Sequence, residues 1–404
     1  MKRYWKIVTL CIVTVIVIGS FYIQSGMAAD ESIQIEFEKV SGNEDEVKKI
    51  NMYGSYENGS IYKSLQISKK ETISLENRSP LEQMISNINS PVFEKLIEAH
   101  KSFMRGKDTM PNYFYEDEGT LAYASIERDG YYETAKSSFD IEVLDKKSGE
   151  TSTIQMDLPK SKKNSWIDVV DVQVVKGELK VFTQEFSNDD RNNDEFNVYT
   201  FNIKDNKLLS TELILTAPTV ENGWSDIRIK NDYFSIRPEK YIFIEIMGYK
   251  DGSTQGEYEM AYESEVVSTD YAIYNVENNK LEKLVVPEEL LEQVGAASIF
   301  GSTIFIPTHT ATGLEVSQYD IETEKWGKVQ KFDIVLSENG DESPYLKLMN
   351  GKVYAVQKIE KGHSLFIGDL KTGDILYEGK LKVKNSKADQ KEYRLYIHEI
   401  EDIY

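Results

Sequence analysis

The chain of 404 residues holds only one cysteine, four histidines and nine prolines. The cysteine, Cys11, sits inside an apolar stretch near the N-terminus, so everything after it has none. That excludes disulfides, thiol nucleophiles and cysteine-ligated metals from the rest of the chain, whose stability must come from its core. The histidines (His100, His309, His363 and His398) form no HxH or HExxH pattern, which argues against a zinc site of three or four ligands. A G-x-S-x-G nucleophile elbow and a P-loop are both missing. Carboxylates are so numerous that no pair stands out as an acid–base couple, and no catalytic residue is assigned. Positive charge is scarce: 47 Lys and Arg stand against 68 Asp and Glu, a net −21. Such a field repels nucleic acid and anionic lipid heads, and it favours cations, basic partners or plain solubility.

What is present begins with an address. Lys2, Arg3 and Lys6 precede an apolar run from Ile7 to Ile23. At helical rise this run spans roughly 25 Å, just short of a hydrocarbon core, and Trp5 and Tyr22 supply interfacial anchors. Two readings stand for residues 1–29. An uncleaved transmembrane anchor fits the length of the run, and a cleaved signal peptide fits the small residues from Ser25 to Ala29. Both keep the positive flank in the cytoplasm and place residues 30–404 outside it. The expectation is a single-pass protein of the cell membrane, with a secreted protein as the alternative. Export of so large a chain without disulfides points to a bacterial cell envelope.

The 25 tyrosines and an aromatic share of 11% suit pleated, half-buried surfaces. A short unit recurs. LDKKSGET from Leu144, FNIKDNKL from Phe201, YNVENNKL from Tyr274, YDIETEKW from Tyr319 and GDLKTGDI from Gly368 align with Asp or Asn second. The third position is apolar at Ile203, Val276, Ile321 and Leu370, and the eighth at Leu208, Leu281, Trp326 and Ile375. An Asx side chain accepts a hydrogen bond from a backbone N–H two residues on, so each unit reads as strand, turn, strand with both apolar positions in a core. Apolar strands precede the units: GTLAYA, GELKVF, KYIFIEI, GSTIFI and GKVYAV. Three or four strands in each ~45–55 residues is the pattern of a β-propeller blade.

The stretch GSTIFIPTHTATGLEVSQYDIETEKWGKV resembles a kelch-type blade, which ends in Tyr-Asp, a turn and a Trp. It departs in having Ile306-Pro307 where the glycine doublet belongs. GKVYAV with SLFIGDLKTGDILYEGKL is similar to a quinoprotein-like blade. The resemblance covers roughly residues 118–385 and implies fold, not activity. With the strands of 31–76 and the tail at 393–400 sharing a blade to close the ring, the expectation is an all-β, six-bladed propeller, with seven blades as the alternative.

Residues 79–106 read as an inserted helical pair. Ser79, Pro80 and Glu82 make a capped start, and Ser90-Pro91 restarts the pattern with Phe93, Leu96, Ile97, His100 and Met104 on one face. The acidic loop from Ser187 to Phe196 places Asp190, Asn192 and Asp194 at alternate positions, an oxygen set suited to Ca²⁺, although Glu195 stands where an EF-hand needs glycine. No other cofactor is expected. The insertion from Met247 to Asp270 carries Tyr249, Tyr258 and Tyr262, residue types that bind peptides or stack on sugars. The expected function is non-catalytic binding or scaffolding of a protein or cell-envelope ligand outside the cytoplasm. The alternatives are a propeller enzyme acting on glycans, a hydrolase or lyase, and a structural member of a membrane complex.

Overall fold

A computed structural model describes residues 33–59, 61–75, 91–129, 136–159, 165–187, 194–250, 264–334, 344–360, 362–384 and 393–402, with Thr9, Val13 and Thr14. The apolar N-terminal run and residues 79–90 of the helical pair lie outside this set. Among the described residues no helix is long and apolar enough to cross a membrane.

The chain opens with strands β1 (Ile35–Gly42), β2 (Ile50–Asn58), β3 (Ile61–Ser68) and β4 (Thr72–Ser74), followed by helices α1 (Pro91–Ala99) and α2 (Lys101–Met104). Then come β5 (Phe114–Glu116), β6 (Thr120–Asp129), β7 (Lys136–Asp145), β8 (Thr151–Asp157), β9 (Ser165–Val175), β10 (Glu178–Ser187), β11 (Glu195–Asn202) and β12 (Lys207–Thr216). The next run is β13 (Gly223–Ile229), β14 (Tyr241–Lys250), β15 (Glu265–Asn275), β16 (Lys280–Leu284), β17 (Ser298–Phe300), β18 (Thr303–Thr310), β19 (Gly313–Asp320), β20 (Lys325–Trp326) and β21 (Gln330–Phe332). The last five are β22 (Tyr345–Met349), β23 (Lys352–Lys358), β24 (His363–Asp369), β25 (Ile375–Val383) and β26 (Arg394–Asp402).

These strands form six antiparallel sheets among the described residues, so the protein is all-β with little helix. In chain order, sheet I is β26-β2-β3-β4, sheet II β5 to β8, sheet III β9 to β12 and sheet IV β13 to β16. Sheet V is β17 to β20 with β21 beside β19, and sheet VI is β22 to β25 followed by β1. The two ends of the chain are thus exchanged. The first strand completes the last sheet, with Ile35 opposite Val383 and Phe37 opposite Leu381. The last strand starts the first sheet, with Met52 opposite Ile400. Gly42 belongs to this clasp: its φ is +80°, and a Cβ there would lie 2.2 Å from the Leu376 carbonyl oxygen.

The glycines that the sequence places before apolar strands mark the turn between the first and second strand of sheets II, III, V and VI. Lys176-Gly177 and Asn350-Gly351 both take positive φ, as two-residue hairpins require. The strand before each glycine is the one the repeat unit did not contain. Second strands are apolar on both faces: Tyr241 to Ile244 in β14 are all buried. They are covered by neighbouring sheets. Apolar clusters join II to III, III to IV, IV to V, V to VI and VI to I. On β6, Ala122 and Ala124 face sheet III, while Leu121 and Tyr123 face α1 and α2. There Phe93, Leu96 and Met104 are buried as the helical stripe predicts, and Phe93 packs edge-on to Phe114 at 5.1 Å.

All five Asx turns form. Asp145, Asn202, Asn275, Asp320 and Asp369 each accept from the backbone N–H three residues on, at 2.7 to 3.2 Å, and three of them also from the N–H two residues on. At the third position Val276, Ile321 and Leu370 are buried. The eighth position differs from expectation. Leu281 and Ile375 are exposed, and Leu208 and Trp326 are half-buried. The residue opens the strand that follows the turn, and that strand has solvent on one side. Trp326 packs at 5.1 Å on Tyr319, directly opposite it.

Ile400 is fully buried in the exchanged strand. Ile400→Ala is expected to cost about 2–5 kcal/mol, read as a lower urea midpoint at unchanged slope.

Candidate functional site

At the end of the sheets where first strands begin, two tryptophans stand out. Trp166 and Trp224 are each the second residue of a first strand, in neighbouring sheets III and IV, and are 46% and 45% exposed. Trp224 lies opposite Tyr249 across β13 and β14, with the rings stacked 4.1 Å apart at 15°. Gly223 permits this closeness, since a Cβ there would sit 1.9 Å from the Tyr249 carbonyl oxygen. Arg228 donates to Asp226 at 2.7 Å and to the Tyr249 hydroxyl at 3.2 Å, and that hydroxyl donates to Met247 Sδ at 3.2 Å. Trp166 holds the Arg128 guanidinium 3.8 Å from its ring centroid, a cation–π contact. Val266 and Val267 at the start of β15 add exposed apolar surface. The result is two flat aromatic faces flanked by guanidinium and carboxylate groups, a surface suited to stacking and hydrogen bonding.

Tyr249 is buried beneath Trp224, so it supports the exposed ring instead of presenting itself. Tyr258 and Tyr262 lie outside the described residues, as do Asp190 and Asn192. Asp194 precedes β11. Its side chain accepts from Gln184 at 3.4 Å and its carbonyl from the Ala217 N–H at 2.9 Å. Among the described residues no group of three or more His, Cys, Asp or Glu is placed to hold a metal ion. Sequence reasoning missed Trp166 and Trp224. Their signal was local: Asn164-Ser165-Trp166 and Asn222-Gly223-Trp224 share an Asn two residues before a Trp that opens an apolar strand.

At the opposite end, where first strands finish, residues Lys230 to Lys240 connect β13 to β14 by a long excursion. The Ile236 carbonyl accepts from the Glu116 N–H of sheet II at 2.6 Å, and the Glu239 N–H donates to Gln173 of sheet III at 2.9 Å. Arg237 pairs with Asp402 of sheet I at 3.3 Å, and Lys347 of sheet VI stands 5.3 Å from the Phe234 ring centroid. Lys230 donates to the Gly295 carbonyl ahead of sheet V at 2.6 Å. One segment of sheet IV therefore touches the chain of all five other sheets.

Carboxyl groups gather under it. Glu401 is buried, and its Oε2 has no hydrogen-bond partner. Burial, with Glu399 beside it, pushes its pKa up to about 7. Burial likewise raises Asp171 to about 6, although Gln173 donates to both its oxygens at 3.1 and 3.2 Å. Glu239 is raised well above the ordinary range, first by burial and then by the charge of Asp171. Elsewhere, a cleft of about 320 Å³ between sheets VI and I is lined by His363 and His398. Burial pushes His363 down to about 4, and His398 Nε2 lies 2.8 Å from Ser55 Oγ.

No protein-family model matches the chain, and no curated protein matches it in sequence. Solved structures with a similar chain path include TolB from Acinetobacter baumannii, at 12% identity over 86% of this chain and 66% of that one, with a TM-score of 0.31. The polysaccharide lyase Uly1 is 12% identical over 67% of this chain and 57% of its own, with a TM-score of 0.34. An apocarotenoid oxygenase of Synechocystis is 8% identical over 69% and 62%, with a TM-score of 0.33. The chain spans less than two thirds of the length of each.

A raised carboxyl favours the folded state below its unfolded pKa, and that advantage is lost as pH rises through the folded pKa. Glu401→Gln should therefore stabilise the protein by about 1–3 kcal/mol at pH 8 and leave it nearly unchanged at pH 4, measured by urea unfolding at both.

Proposed function

We propose that this chain is a six-bladed β-propeller held outside the cytoplasm at a bacterial membrane, binding a protein or cell-envelope ligand without catalysis. The ring reading draws support from the succession of six sheets, the exchanged terminal strands and the convergence of the sheets on one connecting segment. First strands then line the axis, and the segment from Lys230 to Lys240 crosses one mouth of it. The binding reading is carried by one observation: Trp166 and Trp224, exposed at equivalent positions of adjacent sheets, each with a guanidinium nearby. Exposed, pre-stacked aromatics beside Arg are the groups that dominate binding energy at recognition surfaces. Both the Tyr-rich insertion with Tyr258 and Tyr262 and the acidic loop with Asp190 and Asn192 join strands of these same two sheets, and that loop is the proposed place for a Ca²⁺ ion. The N-terminal apolar run supplies the proposed membrane attachment.

A second reading, an enzyme acting on glycans, is favoured by the raised carboxyls Asp171, Glu239 and Glu401, since a general acid needs such a shift. The two readings part experimentally. A photoreactive residue at position 224 of the full chain, in membranes with intact cell wall, should give a discrete adduct that Trp166→Ala weakens at least about tenfold. Absence of any adduct, with glycan turnover that Glu239→Gln abolishes, would replace binding by catalysis.

A further inference from the structure

The charges around the Lys230–Lys240 segment do not balance. Six cations on or near it already hold a carboxylate: Arg237 pairs with Asp402, Lys347 with Glu399, Lys352 with Glu46, Lys146 with Glu116, Lys230 with Glu245 and Lys240 with Glu322. Among the described residues, none of Asp171, Asp232, Glu239 and Glu401 pairs with a Lys or Arg. They lie in a chain across three elements: Glu239 is within reach of the charges of Asp171 and Asp232, and Glu401 of that of Asp232. Asp232 and Glu239 belong to the segment itself, Asp171 to β9 and Glu401 to β26. The other titratable groups around them are Glu399 on β26, Tyr345 on β22, Tyr354 on β23 and Lys49 before β2, with Asp168 on β9 near Tyr233.

Gln173 is the joint between segment and sheet. Its amide nitrogen donates to the Asp171 carboxyl, and its oxygen accepts the Glu239 N–H at 2.9 Å. Asn231 ties the base of the segment: it donates to the Glu239 carboxyl and to the Tyr241 carbonyl at 2.9 Å, and accepts the Phe243 N–H at 2.8 Å. Both amides are neutral, so the fastening adds no positive charge to offset the carboxylates. Its other direct ties include the Ile236 carbonyl bond, the half-exposed Arg237 pair, the Lys230 bond to the Gly295 carbonyl and the exposed Lys240–Glu322 pair. Few apolar groups hold the segment down: Ile236 is its one fully buried hydrophobic side chain.

We propose that the Lys230–Lys240 segment is a pH-responsive closure of the propeller axis, seated while Asp171, Glu239 and Glu401 share protons and lifted as they ionise. With all of them charged, like charges face each other in a site of low dielectric, where repulsion is strong and water is the only relief. Lifting the segment separates Glu239 and Asp232 from Asp171 and Glu401 and admits that water. Each carboxyl holds its proton more tightly when the segment is seated, so the seated state is favoured at acid pH. The advantage fades as pH climbs from the ordinary carboxylate range to about 7. This device stands independently of what the tryptophan face binds.

The test is hydrogen exchange of the full chain, followed for a peptide spanning residues 230–240 and for β10 as internal reference. Rates are corrected for the intrinsic pH dependence of exchange. Between pH 5 and pH 8 the segment should lose protection relative to β10, by about tenfold per pH unit for each proton released. Glu239→Gln and Glu401→Gln should each flatten this change and keep the segment protected at pH 8, while Arg237→Ala should loosen it at both pH values. If one Gln variant fails to fold, the other decides. Equal relative protection at pH 5 and pH 8, or the same pH change in both Gln variants, would overturn the proposal. Parallel loss in β10 would overturn it too, since the event would then be global.

Discussion

A strand that is apolar on both faces needs a cover on both sides, and this protein has one such strand in the middle of each repeat. Ile242 to Ile244, Ile304 to Ile306 and Val353 to Ala355 have almost no exposed surface. In an open row of sheets the two end sheets would leave one such face in water. Apolar clusters run from sheet II through III, IV, V and VI to sheet I, and the helical pair covers the other face of sheet II. The cost of leaving any face bare, ~25 cal/mol for each Å² of apolar surface, accounts for why the sheets follow one another as they do. It also accounts for the exchanged termini, since a strand borrowed from the far end of the chain both pairs an edge and buries Phe37, Ile397 and Ile400.

Much of this was legible in the sequence because it repeats. Asp145, Asn275 and Asp369 each announce a turn through a hydrogen bond made within three residues, so no tertiary knowledge is needed to find them. The apolar third position follows from the same local geometry. Beyond the turn, local rules fail. Whether Leu281 or Ile375 is covered depends on what lies beside an outermost strand, and nothing in eight residues states that. First strands were missed for a related reason: β5, β17 and β22 are three to five residues long and carry charge or hydroxyls. The site was less legible still. Tyr249 was found but not its partner Trp224, because stacking depends on the register between β13 and β14. The carboxyls Asp171, Glu239 and Glu401 are three among 68 acids, and only the fold brings them together.

The two ends of the sheets have opposite characters. Where first strands begin, aromatic rings are supported from below and offered to solvent. Where they finish, a single segment reaches across to every sheet, and its fastenings are polar. The sheets are held by buried apolar clusters, whereas the crossing segment is held mainly by hydrogen bonds and ion pairs. A net charge of −21 sharpens the contrast, since each added negative charge near this segment works against the carboxylates already there.

The exchange of β1 and β26 also carries a kinetic meaning. Ile35 cannot meet Val383, nor Met52 meet Ile400, until residues at the far end of the chain are present. Contacts of such sequence separation form late and slowly. A chain that emerges N-terminus first would hold β1 without β25, and β2 with one edge unpaired, while four complete sheets assemble behind them. Arrival of the last strands would then be the step that pairs these edges, tying the end of folding to the far end of the chain.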